Sequence, residues 1–200
     1  MLRAPLRISP RRRLGSASLT LVLTGLLLSG CGMTNDDTTK PPATSAGTPG
    51  ETGSGIPDAG TATVDEAVAS VKAVSSQIYD FTGVPGKASE AGPGVKACSG
   101  KDPETHFQVY HPWNFEPDSG TDNDVAMKNL KEKLSTGGWV IKDSYRDNSP
   151  HRSLNLIADN DSRKMSVWIV AYSKRATPSL GIEVISGCYR APEGETIKHF

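Results

Sequence analysis

Histidines and clustered carboxylates are the residues of this sequence whose types suit metal binding. His106 and His111 lie five residues apart in a predicted strand, which puts them on opposite faces, where they cannot share an ion. The acidic run of Asp118, Asp122 and Asp124 lacks the glycine and the glutamate that an EF-hand loop needs. The sequence therefore predicts neither a metal site nor a cofactor.

The sequence lacks four short motifs that mark common catalytic or nucleotide-binding sites. A Gly-x-Ser-x-Gly turn, a Ser-x-x-Lys pair, a phosphate-binding P-loop and a dinucleotide fingerprint are all missing. The four histidines and the many serines are scattered, so no particular Ser-His-Asp set stands out. We predict that the protein is not an enzyme.

Cys31 is the residue whose surroundings are most specific. It directly follows Leu28-Ser29-Gly30, at the end of an apolar run. This segment resembles the lipobox of bacterial lipoproteins, and the composition around it resembles lipoproteins of high-GC actinobacteria. The resemblance implies cleavage between Gly30 and Cys31, a diacylglyceryl group on the thiol, and a mature protein held on the membrane by its acyl chains.

The residues around Cys31 have the layout of an exported, tethered protein. Five arginines and no acid precede an uncharged stretch over residues 14–28, which is shorter than the roughly 20 residues that cross a bilayer. Residues 31–62 are rich in Thr, Gly, Pro and Ser, which predicts a disordered tether spanning about 30 Å. The predicted organisation is a signal peptide (1–30), lipidated cysteine and tether (31–62), folded domain (63–192) and flexible tail (193–200).

The net charge bears on the class of partner. Cleavage removes five of the 22 basic residues and none of the 22 acidic ones, which leaves a mature protein of net charge −5. Proteins that bind nucleic acids usually carry a basic face that neutralises phosphates. We therefore expect no nucleic-acid partner.

Cys98 and Cys188 remain once Cys31 is assigned to the lipid. A pair of cysteines in an exported protein is most simply explained by one disulfide, because the compartment is oxidising. Neither cysteine belongs to a Cys-x-x-Cys pair, which a redox role would favour. The predicted role of this pair is structural.

The pattern of apolar residues predicts an α+β domain. Thr63 and Glu66 form a capping-box pattern that begins a helix ending near Phe81, and a second helix covers residues 123–135. A strand begins at His106 and is interrupted by Pro112, and the last strand runs through residues 180–188. We predict two helices packed on one antiparallel sheet of about four strands, in the order α-β-α-β-β-β, with one disulfide.

Aromatic residues offer the one candidate binding patch. Tyr110, Trp113 and Phe115 lie close together among prolines, where they could line a groove, although core packing is the favoured interpretation. The predicted function is a noncatalytic, membrane-anchored module outside the cytoplasm that binds an envelope protein or a wall component. Two alternatives stay open: a carrier of a small apolar ligand, which requires a roomy cavity, and a hydrolase, which requires a histidine bonded to Ser or Asp in a cleft.

Overall fold

Two helices lie on one face of a nine-stranded mixed sheet in the computed structural model, which describes residues 55–200. In chain order the elements are β1 Gly60–Thr61, α1 Val64–Thr82, β2 Gly86–Ala88, β3 Gly94–Ala97, β4 His106–Pro117, α2 Asp122–Thr136, β5 Val140–Arg146, β6 Leu154–Asn160, β7 Met165–Ala171, β8 Leu180–Ser186 and β9 Tyr189–Arg190. Neighbouring strands follow the order β1-β9-β4-β8-β7-β6-β5, and both β2 and β3 pair with β4.

The predicted four-stranded antiparallel sheet with the order α-β-α-β-β-β is wrong. Three short strands precede β4 and one follows β8, and β1 pairs with β9 in parallel, so the sheet is mixed. The strands β2 and β3 lie in a segment rich in Gly and Pro, which has the composition of a loop. They form because the 12-residue β4 supplies an edge on which both can pair.

Pro112 does not interrupt β4, contrary to the sequence prediction. Asn114 exchanges hydrogen bonds with Ser89 on the side of β4 that pairs with β2 and β3. Backbone groups two residues apart point to the same side of a strand, so the missing N–H of Pro112 faces that side too. Neither β2 nor β3 pairs with β4 at this position, and no ladder hydrogen bond is lost.

The core fills the space between the helices and one face of the sheet. Alternate residues of the central strands point toward the helices, as in the cross-strand row of Trp113, Ile182, Ile169 and Leu156. The helices contribute apolar stripes that are fully buried against this face, including Val71, Ile78, Leu130 and Leu134.

The start of α1 confirms the sequence prediction. Thr63 accepts a hydrogen bond from the Glu66 amide, and the Glu66 carboxylate accepts one from the Thr63 amide, which is the reciprocal capping box. Gly83 ends the helix in the left-handed conformation, with φ of 62°.

Residues at both ends of the described chain are paired with the sheet. Residues 60 and 61, which the sequence analysis placed in the tether, form β1, and the carbonyl of Pro57 lies directly against Gly187, where a side chain would collide. At the other end, Phe200 exchanges two backbone hydrogen bonds with Val95 of β3, at 2.8 and 3.1 Å. These contacts lie within the predicted tether and tail.

The disulfide between Cys98 and Cys188 is present, as the sequence predicted. It joins two residues that are 90 positions apart and whose Cα atoms are 5.9 Å apart. Cys98 follows β3 and Cys188 lies between β8 and β9, and these strands flank β4 on opposite sides. Among residues 55–200, no helix combines the length and apolar character that crossing a membrane requires.

Candidate functional site

The predicted aromatic patch is divided between the two faces of the sheet. Trp113 and Phe115 point toward the helices and are 5% and 0% exposed, so they belong to the core. Tyr110 has the opposite parity on β4, and its ring lies against Gly94 of β3. The three residues therefore do not share a surface. Cys31 lies outside the described residues.

A groove between α2 and the β5–β6 hairpin is the candidate functional site, which we call the basic groove. It has a volume of about 670 Å³. Buried apolar residues, among them Met127 and Leu156, form its floor. Its lining carries His151 and five cationic side chains, which are Lys128, Lys131, Arg146, Arg152 and Lys174.

Three parts of the fold bring these cations together. Lys131 lies on the same face of α2 as Met127 and Lys128, since it follows them by four and three positions. Arg146 pairs with Leu154 across the β5–β6 ladder, which places it on the helix-covered side of the sheet. The turn between these strands contributes Arg152, and the segment after β7 contributes Lys174.

Carboxylates within the described chain do not neutralise this set. Lys128 is the one groove cation with an ion-pair partner among residues 55–200, and that contact, to Glu132, is exposed and 3.9 Å long. Asp124 is the single acidic residue of the lining, and it accepts a hydrogen bond of 2.7 Å from the Ser173 hydroxyl. The groove therefore concentrates positive charge, although residues 55–200 as a whole contain 16 basic and 19 acidic residues.

Asp147 organises the turn that carries Arg152. Its carboxylate accepts hydrogen bonds from the amides of Ser149 and Ser153, at 3.1 and 3.0 Å, and from the Ser149 hydroxyl. The Ser149 hydroxyl is the main cause that holds the pKa of Asp147 below its usual value. The carboxylate that is closest in sequence to the two arginines is thus engaged in folding the turn.

Arg152 adopts a backbone conformation that is uncommon for its residue type. Its φ of 50° lies in the left-handed region. This conformation costs free energy for a residue with a side chain, and it persists only where the surroundings enforce it. Two hydrogen bonds to its backbone enforce it here, because the Arg152 amide donates to the Ser149 carbonyl and its own carbonyl accepts from Arg146 Nη1 at 3.0 Å. The turn therefore fixes the backbone of Arg152 and one nitrogen of Arg146 relative to each other.

The groove lies far from the point where the chain joins the sheet. Residue 60 pairs with Tyr189, whereas Ala171, which lines the groove, pairs with Leu180. Nine positions along β8 and β9 separate these two pairs, which corresponds to about 30 Å at the rise of a strand. The groove and the first strand thus lie at opposite ends of the sheet's central strands.

A second groove, of about 470 Å³, lies between α1 and the segment that joins β2 to β3. His111 and Trp113 form part of its lining, and His111 bridges its two walls. The Nε2 atom of His111 donates to the carbonyl of Ala91 at 2.7 Å, and the Ser75 hydroxyl lies 2.8 Å from Nδ1. Because a carbonyl can only accept, Nε2 carries a hydrogen, and in the tautomer that is protonated only there the Ser75 hydroxyl donates to Nδ1.

Within residues 55–200, no three His, Cys, Asp or Glu side chains are grouped so as to hold a metal ion. Comparison with protein-family models, with curated proteins and with solved structures gives no match to this chain. The site must therefore be interpreted from its own geometry and charge.

Sequence reasoning missed the basic groove. The helix pattern assigned Lys128 and Lys131 to the outward face of α2, where solvated lysines are ordinary. Arg146 and Arg152 flank a turn signal, and Lys174 follows a strand, so no spacing rule connects them with the lysines. Nine basic residues fall between positions 128 and 174, and nothing in the sequence separates the five that line the groove from the other four.

Proposed function

We propose that the protein is a lipid-anchored, noncatalytic binding module on the outer side of the cytoplasmic membrane, and that it binds an anionic envelope component in the basic groove. The observation that carries this proposal is the convergence of five cationic side chains around one groove that contains a single carboxylate. Unpaired cations at close range repel each other, and an anionic ligand relieves that repulsion. The resemblance of residues 28–31 to a lipobox supports the anchor.

The anchor predicts a defined change at the amino terminus. In bacterial cells that produce the whole chain, we expect the mature protein to begin at Cys31, to carry a diacylglyceryl group there and to fractionate with membranes. Mass spectrometry of the amino-terminal peptide measures this modification. The Cys31→Ser chain should lack the lipid and leave the membrane fraction; an unmodified wild-type Cys31 would contradict the anchor.

The basic groove predicts charge-dependent binding. The Lys131→Glu/Arg152→Glu variant should bind a fluorescent heparin fragment about 30-fold more weakly than the parent, since each reversed charge replaces an attraction with a repulsion. Fluorescence anisotropy on the mature chain with Cys31→Ser, which is free of lipid, measures the dissociation constant. Heparin serves here as a generic polyanion.

The matched control is Lys133→Glu/Arg163→Glu. It has the same net charge, and it also alters one lysine of α2 and one arginine of a hairpin turn, but neither residue lines the groove. We expect it to bind within about threefold of the parent, because only the net-charge contribution changes. Equal weakening by the two variants would mean that the groove has no special role.

The pairing of His111 with Ser75 supports a hydrolase as the second candidate function. Serine could act as a nucleophile if Nδ1 took its proton, with the Ala91 carbonyl orienting the ring. The same bonds also explain a structural role, because they tie α1 to the β2–β3 segment, and Ser75 is 5% exposed. A fluorophosphonate probe tests this candidate: labelling that is lost in Ser75→Ala would support it, and an unlabelled protein would exclude a reactive Ser75.

The carrier of a small apolar ligand receives no support from the packing. Large side chains fill the layer between the helices and the sheet, and Phe107, Phe115, Leu130 and Leu156 are all 0% exposed. The basic groove and the second groove both open to the surface and carry polar groups. Binding at the surface therefore fits this packing, and an enclosed apolar ligand does not.

A further inference from the structure

We infer that the basic groove recognises phosphate groups, and that its ligand is a phosphate-bearing polymer of the envelope rather than a lipid headgroup. This inference rests on the proposed function, because it names the class of anion that the groove selects. The structural feature that carries it is the pair of guanidinium groups that Arg146 and Arg152 present to one groove.

Arginine pairs are suited to phosphate for geometric reasons. A guanidinium group presents several N–H donors in a fixed plane, and these match the oxygens of phosphate and of carboxylate in a bidentate arrangement. The oxygens of a phosphate point in several directions, so they can accept from two guanidinium groups at once, whereas the two oxygens of a carboxylate lie in one plane. One nitrogen of Arg146 donates to the Arg152 carbonyl at 3.0 Å, which restrains the guanidinium and leaves its other donors available. A lysine contributes charge without this directional match.

The fixed geometry of the turn supports recognition over diffuse attraction. Asp147 holds the turn with three hydrogen bonds from residues 149 and 153, and Arg152 is kept at a φ of 50°. These bonds fix the position from which the Arg152 side chain starts, and the Arg146 guanidinium is itself held by the Arg152 carbonyl. A donor that is already held loses less conformational freedom when the ligand binds, so a larger share of its interaction contributes to affinity.

The size and surroundings of the groove favour more than one phosphate. The lysines on α2 and Lys174 extend the positive lining beyond the two arginines, across a volume of about 670 Å³. Two or more phosphate groups of one polymer would neutralise the five cations more completely than a single group. The apolar floor beside Leu154 and Met127 can contact the units that join successive phosphates.

The position of the groove favours a polymer over a headgroup of the anchoring membrane. The chain joins the sheet at β1, about 30 Å along the strands from the groove. The groove therefore opens at the end of the domain that is remote from its first strand. A polymer that extends away from the bilayer can enter it there, whereas a headgroup could enter only if the domain turned over on its predicted flexible tether.

The test compares two polyanions of matched length with the mature chain carrying Cys31→Ser. We expect inorganic polyphosphate to bind at least about tenfold more tightly than poly-glutamate in isothermal titration calorimetry at one ionic strength. Arg146→Lys/Arg152→Lys keeps the charge and removes the guanidinium forks, so it should lose most of this preference. The control Arg163→Lys/Arg190→Lys, which alters two arginines outside the groove, should retain it.

Each outcome separates this inference from the proposed function. Equal affinity for the two polymers would overturn phosphate recognition and leave an anion-binding groove. Binding of neither polymer would overturn both. Vesicles that contain phosphatidylglycerol test a lipid headgroup as the ligand. If the protein bound them as tightly as it binds polyphosphate, the inference that the ligand is a polymer would be overturned. Thermal unfolding of both Arg→Lys variants checks that their fold is unchanged.

Discussion

Replacing Cys98 and Cys188 together with alanine is expected to lower the free energy of unfolding by about 2–5 kcal/mol. The disulfide closes a long loop, with its cysteines 90 positions apart, and a long closed loop restricts the unfolded chain strongly. Because the bond also joins the segments on either side of β4, its loss should loosen that end of the sheet. Urea denaturation of the oxidised parent and the double variant measures the difference, and the melting temperature should fall by about 10 °C.

Reduction of the parent protein provides an independent control for this prediction. A mild phosphine reductant should reproduce the loss of stability in the parent and leave the double variant unchanged. Alanine is the chosen replacement because Cys98 is only 7% exposed, and a hydroxyl group there would add a cost of its own. A loss below about 1 kcal/mol would show that strain in the folded state offsets the restriction of the unfolded chain.

Phe115→Ala is the second change expected to have a large effect, with a loss of about 3–5 kcal/mol in the free energy of unfolding. Phe115 is 0% exposed, and its ring meets that of Tyr79 on α1 edge-on, with centroids 5.7 Å apart. The ring also lies directly over Gly86, where any side chain would collide with it. Removing the ring leaves a cavity between α1 and the sheet, which chemical denaturation detects.

Tyr110→Ala is the matched comparison for Phe115→Ala. Tyr110 lies three residues before Trp113 on β4, points to the other face of the sheet and is partly exposed. Its truncation should lower the free energy of unfolding by about 1 kcal/mol, because the Tyr110 side chain buries less apolar area than that of Phe115. Neither variant should change polyanion affinity in its folded state. A Phe115→Ala protein of normal stability with weakened binding would restore the aromatic patch as a binding surface.

The helices were predictable because their signals are contained in short stretches of sequence. The Thr63–Glu66 capping box and the glycine after Thr82 define α1 without reference to the rest of the chain. The strands β2 and β3 could not be predicted in this way. Their residues have little strand propensity, and they pair only because β4 is long enough to be shared by two short partners.

The candidate site could not be predicted for a related reason. Its cations come from a helix, a strand, a turn and the segment after a strand, so only the folded chain brings them together. The net charge did not indicate a basic groove, because it is a sum over the whole surface, where acidic residues outnumber basic ones. The disulfide was predictable because, after Cys31, the sequence contains only one possible pair.

The position of the disulfide also determines how the domain would respond to tension. A pull on the chain before β1 reaches β1, α1, β2 and β3 in turn, and then arrives at Cys98. A polymer bound in the basic groove would pull on the segment between the two cysteines, which includes β4, α2 and the hairpin of Arg146 and Arg152. That segment is held at both of its ends, because Cys98 continues into it directly and the disulfide connects the same point to Cys188. If the proposed anchor and polymer stretched the domain, the elements before Cys98 would carry the whole load on a single chain and would unfold first, while the ligand contacts share the load between two.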